Sequence, residues 1–196
     1  IWNMNYDLKK IDEVFKKYNY DSARIFSDPA VPDVFCKWKY KEGKTQKVTQ
    51  SGKTTGLHPA DRWHIAECPA SFYFIDAMCL YKRIRLAAGM VSSYSLDATL
   101  KRHLGIGKLN FADVDKLNGT AWHKEMQTSY RVEYCIYNIF DNIGQELLDE
   151  KTGDINKSFT ALVGVSDFDK FNSNPRRIVD DLHFFCLDHG LVISAT

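Results

Sequence analysis

The sequence predicts an α/β protein, and three of its segments carry the prediction. The apolar run Ser71–Ile75 suits a buried strand, and Asp76–Leu86 then takes up helical spacing, so the two form a strand–helix unit. Tyr130–Lys151 has the pattern of one long amphipathic helix. Between Ser27 and Ala70, glycines and prolines punctuate weakly alternating residues, which favours a β-hairpin-like insertion.

Length and composition are those of an ordinary globular domain. The 196 residues are 44% hydrophobic and 13% aromatic, enough for one sizeable core. The 26 basic and 25 acidic residues nearly cancel, so an anionic partner would need local basic patches or metal ions. The five cysteines and six histidines show no zinc-ligand spacing, and the cysteine pattern favours a reducing compartment. No apolar stretch is long enough to cross a membrane.

The first residues predict a strand end followed by a helix. Ile1 and Trp2 lead into a polar turn, and because residue 1 is not a methionine we expect an internal piece of a longer polypeptide. Apolar residues at three- and four-residue spacing predict a helix over Leu8–Tyr18. Asp7 stands directly before this helix, where a side-chain oxygen would cap free amides. A plain N-cap and a functional carboxylate both remain open for Asp7.

The insertion at 27–70 is basic, and its turn is expected near Glu42 and Gly43. Its lysines interleave with Trp38 and Tyr40, a pattern suited to a phosphate backbone with stacking aromatics. A solvated hairpin fits the pattern equally well. The lysines are Lys37, Lys39, Lys41, Lys44, Lys47 and Lys53.

Further helices are expected over Ser95–Leu104, Asp154–Val163 and Pro175–His189. Gly105 takes the C-cap position of the first of these helices, and Pro175 lies in the first turn of the last one. Gly105-x-Gly107 follows a helix and lacks a third glycine, which excludes a dinucleotide-binding fingerprint.

The helix over 130–151 carries the residues best suited to chemistry. Tyr137 and Asp141 are four residues apart, so the phenol and the carboxylate share one side of the helix, beside the apolar stripe. Such a pair can hold a divalent metal through the carboxylate and orient a water through the hydroxyl. A helix with a polar flank explains the same spacing. The stripe consists of Val132, Ile136, Ile139, Phe140, Ile143, Leu147 and Leu148.

Asn3–Asp7, NMNYD, and Tyr137–Asp141, YNIFD, have the form of two motifs of one enzyme family. Together with three intervening segments in the same order, they resemble the 3′→5′ proofreading exonuclease domain of family-B replicative DNA polymerases, most closely the T-even-type bacteriophage enzymes. The two motifs are similar to the family's second and third exonuclease motifs. The intervening segments are Ile75–Asp76 with Leu80–Lys82, Ser93–Asp97 and Leu104–Leu109.

This resemblance implies a ribonuclease-H-like 3′→5′ exonuclease fold of the α/β class. The fold would be incomplete at its N-terminus, with a basic β-hairpin insertion and a helical C-terminal exit. Residues 1–165 would form the partial exonuclease domain. Residues 166–196 would be a helical connector toward the polymerase palm.

The resemblance also implies roles for five residues. Asp141 would bind the metal that generates hydroxide, Tyr137 would orient the attacking water, and Asp7 would belong to the shell of a second metal. Asn3 and Tyr6 would contact the unpaired 3′ end of a DNA strand. The expected cofactors are two Mg²⁺ or Mn²⁺ ions, about 3.5–4 Å apart in a two-metal site.

One part of the family's pattern is missing from the sequence. The first exonuclease motif, an Asp-x-Glu strand upstream of Asp7, is absent, so only two of the four expected acidic ligands are present. We therefore expect this chain alone to be inactive. The rest of the polymerase, on the same polypeptide or as a split subunit, would supply the missing strand. A cytoplasmic location, in the host cell for a phage protein, and no membrane partner are expected.

Three alternatives remain open at this point. The chain could be a non-catalytic module that binds DNA or a partner protein on the same scaffold. It could be a stand-alone exonuclease of the same fold. It could also be an unrelated helical domain in which the spacing of Tyr137 and Asp141 is accidental.

Overall fold

The computed structural model describes two compact units. Unit 1 comprises Ile1, Asn3–Arg85 and the part from Asp154 onward, and unit 2 comprises Trp2 and Leu86–Gly153. The expected boundary between residues 165 and 166 lies outside the described residues and stays a prediction. The described residues are 1–70, 72, 74–111, 114, 116–155 and 174–192, without the side chains at 174, 176, 177 and 180.

Helices make up most of the regular structure in the described part of the chain. Three short 3₁₀ turns lie at 33–35, 59–61 and 86–88. None of the described helices combines the length and the hydropathy that crossing a membrane requires. The α-helices are α1 (Met4–Lys17), α2 (Ser22–Ile25), α3 (Ala77–Ile84), α4 (Leu96–Leu104), α5 (Gly119–Ser129), α6 (Arg131–Thr152) and α7 (Asn174–Asp188).

The strands of the described residues form two separate antiparallel pairs, and in the sequence the second pair lies between the two strands of the first. The strands are β1 (Lys39–Lys41), β2 (Gln46–Val48), β3 (Thr54–Gly56) and β4 (Ile65–Glu67). β1 pairs with β4, and β2 pairs with β3. The expected hairpin therefore exists, but its tight turn lies at residues 49–53, where the Thr49 amide donates to the Lys53 carbonyl at 2.9 Å. The expected turn near Glu42 and Gly43 is wrong, because this segment joins β1 to β2.

The two strands expected in the first half of the chain are not observed. Phe72, Phe74 and Ile75 are outside any strand, and Ser71 and Tyr73 are outside the described residues. Backbone hydrogen bonds run from the Ile1 nitrogen to the Ile75 carbonyl and from the Ala77 amide to the Ile1 carbonyl. Ile75 is buried and Phe74 partly buried by side-chain packing without a strand ladder, whereas Phe72 is exposed. The ribonuclease-H-like fold stays a prediction.

The start of α1 differs from the expectation that Asp7 caps a helix beginning at Leu8. The helix begins at Met4, so Asp7 lies inside its first turn and the N-cap prediction is wrong. The cap comes from Asp76, which is 1% exposed. Its Oδ2 accepts the Met4 amide at 3.0 Å, and its Oδ1 accepts the Cys79 amide at 3.1 Å. One carboxylate therefore caps both α1 and α3.

The core of unit 1 lies between α1, the β1–β4 ribbon and the segment before α3. Met4 and Leu8 are buried against Ala66, and Phe74 packs against them. A second cluster of unit 1 joins Trp63, Ile75, Cys79 and Leu80.

Unit 2 is built on the packing of α4 against α6. Leu100 of α4 is fully buried and contacts Leu148 of α6 within one apolar cluster. Gly144 lets the two helices approach, because an added Cβ would lie 3.1 Å from a Leu100 methyl. The predicted start and end of α4 are confirmed, since the Ser95 hydroxyl caps the helix and Gly105 ends it at φ 70°.

The long helix α6 has nearly the predicted bounds, but most of its apolar stripe lies outside the core. The buried residues of α6 are Gly144 and Leu148. Leu148 is a buried member of the predicted stripe, whereas five other members are 41–69% exposed, so we correct the expectation of a core-facing stripe for these five residues. These residues are Val132, Ile136, Ile139, Ile143 and Leu147.

Candidate functional site

Tyr137 and Asp141 meet at one cation, the side-chain ammonium of Lys108. Lys108 Nζ donates to the Tyr137 hydroxyl at 2.9 Å and to Asp141 Oδ2. Both acceptors lie on the same side of α6, as their four-residue spacing predicts. Lys108, Tyr137 and Asp141 are called the Lys108 cluster below.

The loop after α4 holds Lys108 in place. Gly105 ends the helix in the left-handed region, and the chain then turns back along α4. The Lys108 amide donates to Asp97 Oδ1 at 2.8 Å, while Asp97 Oδ2 binds Lys101. A Cβ at Gly107 would lie 2.6 Å from Lys101 Cε and 2.9 Å from Asp97 Oδ1, so a larger residue there would displace the ends of these two side chains. The left-handed Gly105 and the hydrogen bond from the Lys108 amide to Asp97 thus direct Lys108 toward α6.

Partial burial and charge give the Lys108 cluster its electrostatic character. The side chains of Lys108 and Asp141 are 27% and 18% exposed. Burial by itself would lower the pKa of the Lys108 ammonium, but its hydrogen bonds to Asp141 and Tyr137 outweigh burial and raise the pKa. Lys108 Nζ also lies 4.9 Å from the centroid of the Tyr137 ring. Asp141 Oδ1 is buried and has no hydrogen-bond partner among the described residues.

Aromatic side chains from α5 surround Tyr137. The Trp122 ring lies 5.1 Å from the Tyr137 ring and 6.0 Å from the Tyr134 ring, measured between centroids. The Tyr134 and Tyr137 rings are parallel within 2° at 6.4 Å. His123 Nδ1 is 3.0 Å from the Tyr134 hydroxyl. The cluster thus has an aromatic wall on its α5 side.

The other three predicted site residues belong to unit 1. Asn3 precedes α1 with φ 71°, a left-handed conformation that asparagine tolerates. Tyr6 is 54% exposed, and Asp7 is exposed in the first turn of α1. Asn3, Tyr6 and Asp7 therefore lie together at one helix start, and their predicted roles stay predictions.

The basic insertion keeps its lysines in solvent and uses its aromatic rings internally. Trp38 stacks on Phe26 at 4.2 Å, and Tyr40 stacks on His64 at 5.8 Å. These rings are engaged with the protein itself, which argues against the predicted stacking on nucleobases. The exposed lysines are Lys37, Lys39, Lys41, Lys44, Lys47 and Lys53.

The residues missed by sequence reasoning are Lys108, Trp122, His123 and Tyr134. Lys108 had a local signal, because two glycines after a capped helix mark a turn that redirects the next side chain. Trp122 and His123 had none, since their partners lie on the next helix. Within the described residues, no group of three or more histidine, cysteine, aspartate or glutamate side chains could hold a metal ion.

Comparison with known proteins gives no further assignment. No family model matches the chain, and no curated protein or solved structure matches it significantly.

Proposed function

We propose that this chain is part of the proofreading 3′→5′ exonuclease domain of a DNA polymerase, resembling the family-B phage enzymes. Such a domain removes mispaired nucleotides from the 3′ end of DNA. One observation carries the proposal: the Lys108 ammonium binds both Tyr137 and Asp141, the two residues that the third exonuclease motif pairs. The order of the other motifs in the sequence supports the same assignment.

The carboxylate oxygens of Asp141 are of the type that binds a hard divalent cation. Asp141 Oδ1 is a buried acceptor without a partner among the described residues, and such an atom is costly to leave unpaired. Mg²⁺ and Mn²⁺ bind oxygen ligands, but a single carboxylate does not complete the coordination of either ion. By the resemblance, the other ligands would be Asp7 and the two carboxylates of an Asp-x-Glu strand supplied from outside this sequence.

The chemistry of the proposed reaction is phosphodiester hydrolysis. When bound, two Mg²⁺ ions would supply an activated water and neutralise charge on the scissile phosphate. In the proposal Asp141 is a metal ligand and the Tyr137 hydroxyl orients the attacking water. Lys108 fixes that hydroxyl and adds positive charge beside the anionic substrate. Asn3 and Tyr6 contact the unpaired 3′ end.

The proposal also defines partners and a location. The ligand is a single-stranded 3′ end of DNA, and the protein partner is the rest of the polymerase, on the same polypeptide or as a split subunit. The place of action is the cytoplasm, that of the host cell for a phage-encoded enzyme.

A non-catalytic DNA-binding module is the second candidate. The Lys108 ammonium already neutralises Asp141, as expected of a carboxylate retained for structure. The exposed lysines of the basic insertion could hold a phosphate backbone without any hydrolysis. In this case substitution of Asp141 would leave DNA binding unchanged, and no cutting would occur under any condition.

Degradation of a 3′-labelled single strand in Mg²⁺ or Mn²⁺ tests the proposal. The assay uses this chain alone and this chain together with a polypeptide that carries the Asp-x-Glu strand. We expect cutting only in the second case, and Asp141→Ala should lower the rate by at least about 100-fold because a metal ligand is lost.

Glu150→Ala provides the matched control, since Glu150 is an exposed acid on the same helix, outside the Lys108 cluster. It should leave the cutting rate unchanged. If the combined protein folds and binds DNA but does not cut, the exonuclease proposal is wrong and the non-catalytic module replaces it.

A further inference from the structure

The position of the Tyr137 hydroxyl depends on how its ring is held. A half-buried tyrosine can rotate about two side-chain bonds, and α6 alone does not fix either of them. A hydroxyl that orients a water must stay within a fraction of an ångström of its working position, because small displacements cost large factors in rate. The ring therefore needs contacts from outside its own helix.

Helix α5 supplies these contacts. α5 ends at Ser129 and α6 begins at Arg131, so the two helices are joined through Tyr130 alone. This short connection folds α5 back along the first turns of α6 and brings Trp122 against the Tyr137 ring at 5.1 Å, with 60° between the ring planes. Tilted pairs at this separation are among the favoured arrangements of aromatic rings.

A second line of contacts reaches Tyr137 from the same helix. His123 lies 5.9 Å from the Tyr134 ring and binds its hydroxyl at 3.0 Å. Tyr134 then lies parallel to Tyr137, one turn further along α6. Because Trp122 touches both tyrosines, the four rings form one connected group that ends at the hydroxyl bound by Lys108.

We infer that Trp122 is a positioning residue: through its ring contact it holds the Tyr137 phenol in register with Lys108 and Asp141, and His123 assists through Tyr134. The inference rests on the proposed function for its purpose, but the contacts stand without it. Trp122 is not proposed to contact a reacting atom and acts through Tyr137.

Chemical labelling of Lys108 in the chain as it stands tests the inference without any need for catalysis. Acylation of lysine amines by a succinimidyl ester, followed by mass spectrometry, reports how well the Lys108 ammonium is held by its two partners. Trp122→Ala should raise the labelling rate of Lys108 about three- to fivefold, as expected when one weak polar contact of a partly exposed pair is loosened. Trp122→Phe, which keeps a ring, should restore the wild-type rate.

Control lysines in the same unit separate positioning from unfolding. Lys101 and Lys124 are already exposed, so their labelling should not change, and the helical signal in circular dichroism should be retained. If the alanine variant loses helix, Trp122→Leu replaces it in the labelling test, because leucine keeps the apolar bulk of the side chain but has no ring. A wild-type labelling rate of Lys108 in the folded alanine or leucine variant would overturn the inference.

Cutting kinetics then separate this inference from the proposed function. In the protein completed with an Asp-x-Glu strand, Trp122→Phe should keep kcat and Trp122→Ala should lower kcat about tenfold with little change in KM. If labelling responds but no variant or wild-type protein cuts DNA, the positioning role stands and the exonuclease proposal fails. If the alanine variant cuts at the wild-type rate, the positioning role fails and the exonuclease proposal stands.

Discussion

The ammonium of Lys108 binds the carboxylate of Asp141, joining the loop after α4 to the middle of α6. The same ammonium binds the Tyr137 hydroxyl, so one cation holds both residues of the Tyr-x-x-x-Asp motif. Asp141 keeps a second, buried oxygen without a partner in the described part of the chain. The cluster therefore contains the ion pair between Lys108 and Asp141 and a second Asp141 oxygen that could bind a metal ion, and the proposed metal-dependent site rests on both.

Removal of Lys108 should destabilise unit 2. Lys108→Met leaves the Asp141 carboxylate partly buried without its ion-pair partner, which should cost about 1–3 kcal/mol in the free energy of unfolding. Amide hydrogen exchange along α6 measures this loss.

A double substitution provides the control for that prediction. Lys108→Met with Asp141→Asn removes both charges and should recover part of the lost stability. A double variant no more stable than Lys108→Met alone would contradict an ion-pair origin of the effect.

Asp76→Ala should destabilise more than the loss of an ordinary helix cap. Asp76 accepts the Met4 amide at the start of α1 and the Cys79 amide at the start of α3, so two caps disappear at once. The expected cost is roughly 2–4 kcal/mol, against about 1 kcal/mol for Ser95→Ala, which removes the single cap of α4. Urea denaturation compares the two variants. Equal costs would show that Asp76 does not serve both helices.

Acidification should weaken unit 1 through His64. The Gly43 amide donates to His64 Nδ1 at 3.2 Å, so that nitrogen is an acceptor and the ring is neutral. Burial lowers the pKa of His64, and this effect outweighs the neighbouring charges of Asp76 and Glu42, which act in the opposite direction. The contribution of His64 is therefore fully present above the unfolded pKa of about 6.5 and is lost as the pH falls through the folded pKa.

Urea denaturation at about pH 8 and about pH 5 measures this pH dependence. Wild-type protein should lose stability on acidification, and His64→Gln should lose less because the titrating group is gone. A His64→Gln variant that loses as much stability as the wild type would exclude His64 as the cause.

The exposed stripe of α6 should tolerate polar substitution in this chain. Ile139 is 58% exposed, so Ile139→Lys should change the free energy of unfolding by no more than about 0.5 kcal/mol. Leu100→Ala, at a fully buried position, should cost about 2–5 kcal/mol. Thermal denaturation of both variants distinguishes them. A large loss from Ile139→Lys would mean that the stripe is buried in solution.

The sequence predicts the local parts of this structure well. The bounds of α6 and the Gly105 end of α4 follow from spacing and from residues adjacent to the helix ends. The cap of α1 could not be predicted, because its ligand, Asp76, lies 72 residues away from Met4. Phe72, Phe74 and Ile75 are not in the expected strand, because an apolar run by itself does not determine whether its backbone pairs with another strand.

In the candidate site, too, the sequence predicts the local features but not the contacts between distant segments. The shared side of Tyr137 and Asp141 follows from helical geometry, whereas the partner that joins them is on a distant loop. The two glycines mark a turn after α4, but the direction of Lys108 depends on the contacts of Gly107 and Lys108 with Asp97 and Lys101 of that helix. The exposure of the α6 stripe is likewise a tertiary property, because amphipathic spacing identifies an apolar face but not what covers it.

The most direct test of the proposed proofreading activity is the rate at which a primer with a mispaired 3′ end is shortened, compared with a fully paired primer. The protein is this chain completed with an Asp-x-Glu strand, in Mg²⁺, with Asp141→Ala as the inactive control. We expect faster removal of the mispaired nucleotide, release from the 3′ end only, and no cutting by the variant. Two results would contradict the proposed proofreading activity. One is that the Asp141→Ala variant still cuts DNA, and the other is that a completed protein folds and binds the primer but does not cut it.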